Sequence, residues 1–198
     1  MPRDKTSTAA GKRGEPVRQR VIDAAERLLR DGKAEFSMRD LASGASVSFA
    51  TPFNQFGSKA AIMHALSARR IDVMMQRLAA APAQTRAADR VLLAVDIAVG
   101  VMLEEPIVNR AVLGWLGTAG APPGQVLDHS KALWALALGD GEGLAAARRA
   151  QVLADLPGQL AFAFRGVLSF WTAGELSDDA FALGAREMAG ALLRGFAE

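Results

Sequence analysis

Apolar residues recur along this chain at the spacing of one helix face, and turn residues cut the pattern into segments. Val17, Val21, Ala24, Ala25 and Leu28 form the first stripe; Pro16 opens that helix and Gly32 closes it. Ile62, Leu66 and Val73 mark a helix from Ser58 to about Ala80, ahead of Pro82. Leu92, Val95, Val99 and Met102 mark the next, from Arg86 to Glu105, and Pro106 restarts the chain as another, to about Leu116. Residues 117–124 are a loop by composition. A further helix ends at Leu138, with Leu127, Trp134 and Leu138 in line. Residues 144–173 read as helical with a break or kink at Pro157-Gly158, and Leu160, Phe164, Leu168 and Trp171 share a face. Ser177 caps the last helix, striped by Phe181, Ala185, Met188 and Leu192.

Between the first stripe and Ser58 lies a different pattern. Ser37 and Asp40 have capping-box spacing ahead of Leu41-Ala42, which predicts a helix of about two turns. Ala45-Ser46-Val47 is a turn, and Ser48 is placed to cap a second short helix to about Phe56. The alternative start is Thr51 as cap, with Pro52 at the first helical position. Helices this short hold only against a third, so Val47 and Phe56 face inward. Two short helices across a tight turn make a helix–turn–helix, whose second helix enters a DNA major groove.

The stretch resembles the DNA-binding domain of TetR-family transcriptional regulators. The family pattern is roughly A-G-V-S-x-x-T-x-Y-x-H-F-x-S-K; Ala45, Val47, Ser48, Thr51, Phe56, Ser58 and Lys59 match it without a gap. The segment from Arg20 to Leu29 also resembles the family's first helix. The departures are Ser46 for the turn glycine, Phe53 for a tyrosine that contacts phosphate, Gln55 for histidine, and Pro52 inside the reading helix.

The resemblance implies an all-α fold of about nine helices: a helix–turn–helix DNA-binding domain over 16–57, a connecting helix over 58–80, and a helical ligand-binding and dimerisation domain over 81–198. It implies double-stranded DNA as partner, read as a pseudo-palindrome by a homodimer joined through the last two helices. Ser48, Phe49, Ala50, Thr51, Asn54 and Gln55 then face the groove, while Ser37, Arg39, Phe53 and Lys59 approach the backbone. It also implies a pocket for a small apolar or aromatic effector, with Val99, Met102, Leu103, Trp115, Trp134, Phe162 and Arg165 as candidate lining. Arg165, on an apolar helix, needs an anion if buried, and Asp96 is the possible internal partner; Asn109 and His129 are lesser polar candidates.

Composition changes the picture at three points. Hydrophobic content is 51%, largely alanine and leucine, which favours helices. Apolar residues outside the main stripes of the last two helices (Phe162, Val167, Phe170; Leu183, Leu193, Phe196) ask for a four-helix bundle between two chains. Residues 1–66 hold 11 Lys/Arg against 7 Asp/Glu, and residues 67–198 hold 12 against 14, a basic head on a slightly acidic body.

Residues 1–15 read as a disordered basic arm, with Arg3, Lys5, Lys12 and Arg13 able to follow a phosphate backbone. Cysteine is absent, so no disulfide or thiolate metal site exists, and neither a signal pattern nor an 18-residue apolar run is present; a cytoplasmic protein without membrane contact is expected. No cofactor, metal site or catalytic residue is expected. There is no Cys or Tyr, His64 and His129 are far apart, and Glu175, Asp178 and Asp179 serve a helix start better than a metal. The competing reading is an interaction protein of the same fold with weak or lost DNA binding, motivated by the departures at Ser46, Pro52, Phe53 and Gln55.

Overall fold

The computed structural model describes residues 7–117 and 125–196, with side chains from Pro16 onward. Among them are nine α-helices: α1 (Ser7–Arg30), α2 (Met38–Gly44), α3 (Ala50–Phe56), α4 (Lys59–Ala80), α5 (Ala87–Glu104), α6 (Pro106–Leu116), α7 (Val126–Leu138), α8 (Arg149–Thr172) and α9 (Asp178–Arg194). The chain forms two units, Met1–Leu66 and Ser67–Glu198, so the boundary falls inside α4.

In the first unit α1 packs against both α2 and α3. Val21, Ile22, Ala24, Ala25 and Leu29 of α1 are buried with Phe36, Leu41, Ala42 and Ala45. Val47 and Phe56 are half-buried. The helix begins at Ser7, not at Pro16, and Pro16 lies inside it. The reason is local: Ala9, Ala10, Lys12, Arg13 and Glu15 are good helix formers that offset Gly11 and Gly14, and one interior proline removes one hydrogen bond without having to end a helix. Of the expected arm, residues 1–6 lie outside the described residues.

Three helices end on the same two-bond motif. At α1 the Gly32 N–H donates to the Leu29 carbonyl and the Lys33 N–H to the Leu28 carbonyl. At α8 Gly174 and Glu175 repeat this on Trp171 and Phe170. At α2 the Ser46 N–H donates to Ser43 and the Val47 N–H to Ala42. This motif needs a left-handed residue after the cap. Gly32 and Gly174 supply it with φ of 74° and 80°, whereas at α2 it is Ser46, with φ of 53°. Left-handed backbone costs a side-chain-bearing residue ~1–2 kcal/mol, and glycine gives back ~0.5–1 kcal/mol through its freer unfolded chain. Ser46→Gly is therefore expected to stabilise the protein by roughly 0.5–1 kcal/mol, about 1–4 °C in melting temperature. An unchanged or lower midpoint in thermal and urea unfolding would show that the serine conformation is not strained.

In the second unit α5, α7, α8 and α9 surround one core, and α6 packs against α5 and α8. Aromatic rings run through its centre: Trp134 meets Phe164 edge-on at 5.4 Å, Phe164 meets Phe181 at 6.1 Å, and Phe181 stacks on Trp171 at 5.0 Å. The Trp171 indole N–H donates to Asp178 Oδ1 at 2.8 Å, and Arg110 binds the same oxygen at 2.9 Å. Asp178 thus joins the start of α9 to α8 and α6, beyond favouring its own helix dipole.

Helix α8 runs through Pro157 without the expected break. Val152, Leu156, Pro157, Leu160 and Ala161 are all buried, so packing holds this turn against the loss of one backbone bond. The Gly139–Gly143 segment ends α7, and Arg90 closes it. The Arg90 guanidinium donates to the carbonyls of Ala137 at 3.0 Å, Leu138 at 2.6 Å and Gln84 at 3.0 Å. Gly139 has φ of 56°, which favours glycine, and a Cβ there would lie 2.9 Å from Arg90 Nη2 and push the guanidinium off the carbonyls it holds. Of the expected loop after α6, residues 118–124 lie outside the described residues.

Candidate nucleic-acid interface

The candidate reading surface is α3 with the end of the turn before it. Neither expected start of α3 is observed: the helix opens at Ala50, with Phe49 at its N-cap. Ser48 still contributes, since its carbonyl accepts from the Thr51 N–H at 2.9 Å and its hydroxyl lies 2.7 Å from Thr51 Oγ1. Pro52 falls at the third helical position, where an N–H has no intrahelical acceptor. Its ring is buried, so the proline costs no bond there and helps to seat the helix.

Two arginines of α1 hold the pair of short helices at their carbonyl ends. Arg18 Nη1 donates to the Gln55 carbonyl at 2.8 Å, and its guanidinium lies 4.1 Å from the Phe56 ring centre. Arg27 Nη2 donates to the Gly44 carbonyl at 2.8 Å. A cation at a helix C-terminus satisfies orphan carbonyls and opposes the negative end of the dipole. Periodicity gave no sign of these two residues, which sit beside the apolar stripe of α1 and not in it.

Of the groove candidates, Ser48, Phe49, Ala50 and Asn54 are exposed, and Thr51 and Gln55 are half-buried. Phe49 and Phe53 are 62% and 63% exposed, unusual for phenylalanine in a unit whose other large apolar residues are wholly or half-buried. The Arg39 guanidinium lies 5.5 Å from the Phe49 ring centre.

Two backbone candidates are already engaged inside the unit. Ser37 and Asp40 form a full capping box: the Asp40 N–H donates to Ser37 Oγ at 3.2 Å, and the Ser37 N–H to Asp40 Oδ2 at 2.8 Å. The Ser37 N–H, then its hydroxyl, hold the Asp40 carboxyl below its ordinary pKa, so the box opens only below the usual carboxylate range. The Lys59 ammonium donates to the Ala34 carbonyl at 2.7 Å and lies 4.5 Å from the Phe36 ring centre. It has further N–H donors for a phosphate.

In the body, Val99, Met102 and Trp134 belong to the buried core, with Leu103 packed against it. The Trp134 indole N–H is buried and has no acceptor. Trp115 and His129 are half-buried. Phe162 does not join this group: it is 62% exposed and borders an open groove of about 660 Å³ beside Lys131, Ala135 and Asp155. Arg165 is half-buried and donates to the Leu113 carbonyl at 3.3 Å, and burial holds its pKa below the ordinary arginine value. Asp96 is not its partner. It pairs with Arg186 of α9, because Asp96 lies on the exposed side of α5 where that helix meets α9. Asn109 is only 2% exposed and is satisfied within the fold: it donates to Met102 and Val101 carbonyls at 2.8 and 3.2 Å and accepts from Arg70 Nε at 2.9 Å. Arg70 also pairs with Glu105 at 3.3 Å, and Arg77 with Glu104, so the end of α4 is tied to the corner of α5 and α6.

The chain comprises a helix–turn–helix unit and an all-helical body. Residues 21–66 match the family model described as bacterial regulatory proteins, tetR family. The fold is similar to a TetR transcriptional regulator from Rhodococcus sp. RHA1, with a TM-score of 0.72 at 22% identity over 90% of this chain and 97% of that one. It is also similar to a TetR-like transcriptional regulator from the same organism, with a TM-score of 0.51 at 20% identity over 90% and 96%. No curated protein matches in sequence. The family-model match covers the helix–turn–helix unit, and the likeness to solved TetR regulators, at 22% identity or less, extends to the fold of the chain. No helix among the described residues is long and apolar enough to cross a membrane.

Proposed function

We propose that this regulator is a repressor that binds a pseudo-palindromic operator as a homodimer and is released by a small apolar or aromatic effector. The observation that carries the reading is the free face of α3. Ser48, Phe49, Ala50, Phe53 and Asn54 stand exposed with Arg39 beside them, while separate contacts hold the helix from behind. Asn54 and Gln55 are suited to adenine, and Arg39 and Lys59 to phosphate. Two copies of α3 one DNA turn apart, ~34–36 Å, would read two half-sites. Dimerisation is supported by Phe162, Phe170 and Leu183, which are 62%, 54% and 60% exposed on α8 and α9.

The effector site in this reading lies in the body near Val99, Met102, Leu103, Trp115 and Trp134, with Arg165 as its polar contact. Release is two-state: the effector binds better to a body conformation in which α4 takes the reading helices off operator spacing. The Arg70 and Arg77 contacts give α4 a direct link to the α5–α6 corner.

The test is selection of bound fragments from a random DNA pool, then salt titration on the best duplex. A two-fold symmetric site with a steep salt slope is expected. Arg39→Ala should weaken binding to all sequences and lower the slope by about one unit per half-site. The exposed Phe49 and Phe53 favour a second reading, a protein-interaction surface. Absence of any enriched site, with binding that vanishes by physiological salt, would select it.

A further inference from the structure

We propose that Phe49 is a specificity-determining residue whose ring, with Ala50 beside it, reads the 5-methyl group of a pyrimidine in the major groove. Each half-site would then carry thymine at that position. This inference rests on the DNA-binding reading above and names what one part of that surface recognises.

Phe49 stands at the N-terminal end of α3, the part of a reading helix that meets base edges, and it is 62% exposed. Ala50, the next residue, is exposed as well. Phe53 lies one turn further on the same side, so the apolar strip continues toward the flank of the helix. Hydrogen-bond readout is unavailable to these side chains, since none has a donor or an acceptor. The neighbouring hydroxyls of Ser48 and Thr51 are turned to each other at 2.7 Å. The polar reader left fully open on α3 is Asn54. In the major groove the one apolar mark that separates base pairs is the C5 methyl of thymine. Arg39, 5.5 Å from the Phe49 ring centre, steadies the ring from one side and brings a cation to the adjacent backbone. A 5-methylcytosine presents the same methyl, so the chemistry has two possible sources.

The experiment uses the full-length protein and the duplex recovered from the random pool. Each thymine is replaced in turn by deoxyuridine, which removes the methyl and leaves base pairing intact. Affinity is measured by fluorescence anisotropy for the wild type, Phe49→Ala and Phe49→Leu; all three should fold alike because the residue is exposed. For the wild type, a replacement in one half-site should weaken binding about fourfold, the weight of one buried methyl-sized group, and replacement in both half-sites about 15-fold. Phe49→Ala should lose that sensitivity while keeping its response at other positions, and Phe49→Leu should keep part of it. A 5-methylcytosine·guanine pair at the same position separates the sources. Affinity above that of an unmethylated cytosine pair would show that the methyl is read on either base. No gain would assign it to thymine alone.

Tight, salt-sensitive binding with no effect of any uracil, or methyl sensitivity that survives in Phe49→Ala, would overturn the inference and leave the operator reading standing. Failure to recover any specific duplex would overturn both and assign the phenylalanines to a protein surface.

Discussion

A Phe170→Arg/Leu183→Arg double variant is expected to be monomeric and to lose operator affinity by ~10²–10⁴-fold, the usual gain from joining two binding modules. Phe170 and Leu183 are 54% and 60% exposed on α8 and α9 of the single chain, so their replacement leaves its core untouched. In a two-chain bundle each arginine would meet an apolar partner surface without an anion, and an unpaired buried charge costs several kcal/mol. The two-fold axis of the proposed dimer would present every change twice. Circular dichroism should be unchanged, sedimentation should report one chain, and a half-site duplex should bind as well as it does to the wild type. A variant that sediments as a dimer and binds the full operator within threefold of wild type would place the interface elsewhere.

Phe181→Ala is expected to destabilise the body by about 3–5 kcal/mol. The ring is fully buried, stacks on Trp171 at 5.0 Å and lies 6.1 Å from Phe164, so its removal opens a hole between two other aromatics. Trp171 is fixed through its N–H to Asp178 and so does not swing in to refill it. Against a typical total of 5–15 kcal/mol this is a large fraction. Urea unfolding at matched protein concentration, with tryptophan fluorescence as the probe, measures it; matched concentration matters because the proposed dimerisation would add to the apparent stability. A loss under 1 kcal/mol would mean that the core collapses to fill the space.

Much of this fold was legible in the sequence because its signals are local. Ser37 and Asp40 predicted their capping box, Gly32 and Pro106 marked helix ends, and the stripes of α5 and α9 point inward at Val95, Val99, Phe181 and Ala185. The existence of α3 was also legible, since its residues follow a motif, though not its first residue. Long-range partners were not. Arg18, Arg27 and Arg90 each reach carbonyls at another helix's end, and no periodicity encodes where a long side chain will find an acceptor. Asp96 was paired by proximity of character with Arg165, but its helix turns it toward Arg186. Proline rules misled at Pro16, which lies inside α1, and at Pro157 α8 continues where a break or kink is expected. There neighbouring helix formers or burial outweigh one lost bond. Phe162 was grouped with the pocket because an apolar residue reads alike whether it faces the core or a partner.

The clamps on α3 and its exposed face involve different side chains. Arg18 on the Gln55 carbonyl and the buried Pro52 hold the helix; the exposed side chains of Phe49, Ala50, Phe53 and Asn54 take no part in those clamps. The vocabulary of this surface is therefore free to change without the grammar that supports it. Residues 49, 50, 53 and 54 can be randomised together in a library, and most members should fold. New operator preferences can arise, by mutation in nature or by selection in the laboratory, without first crossing a valley of instability.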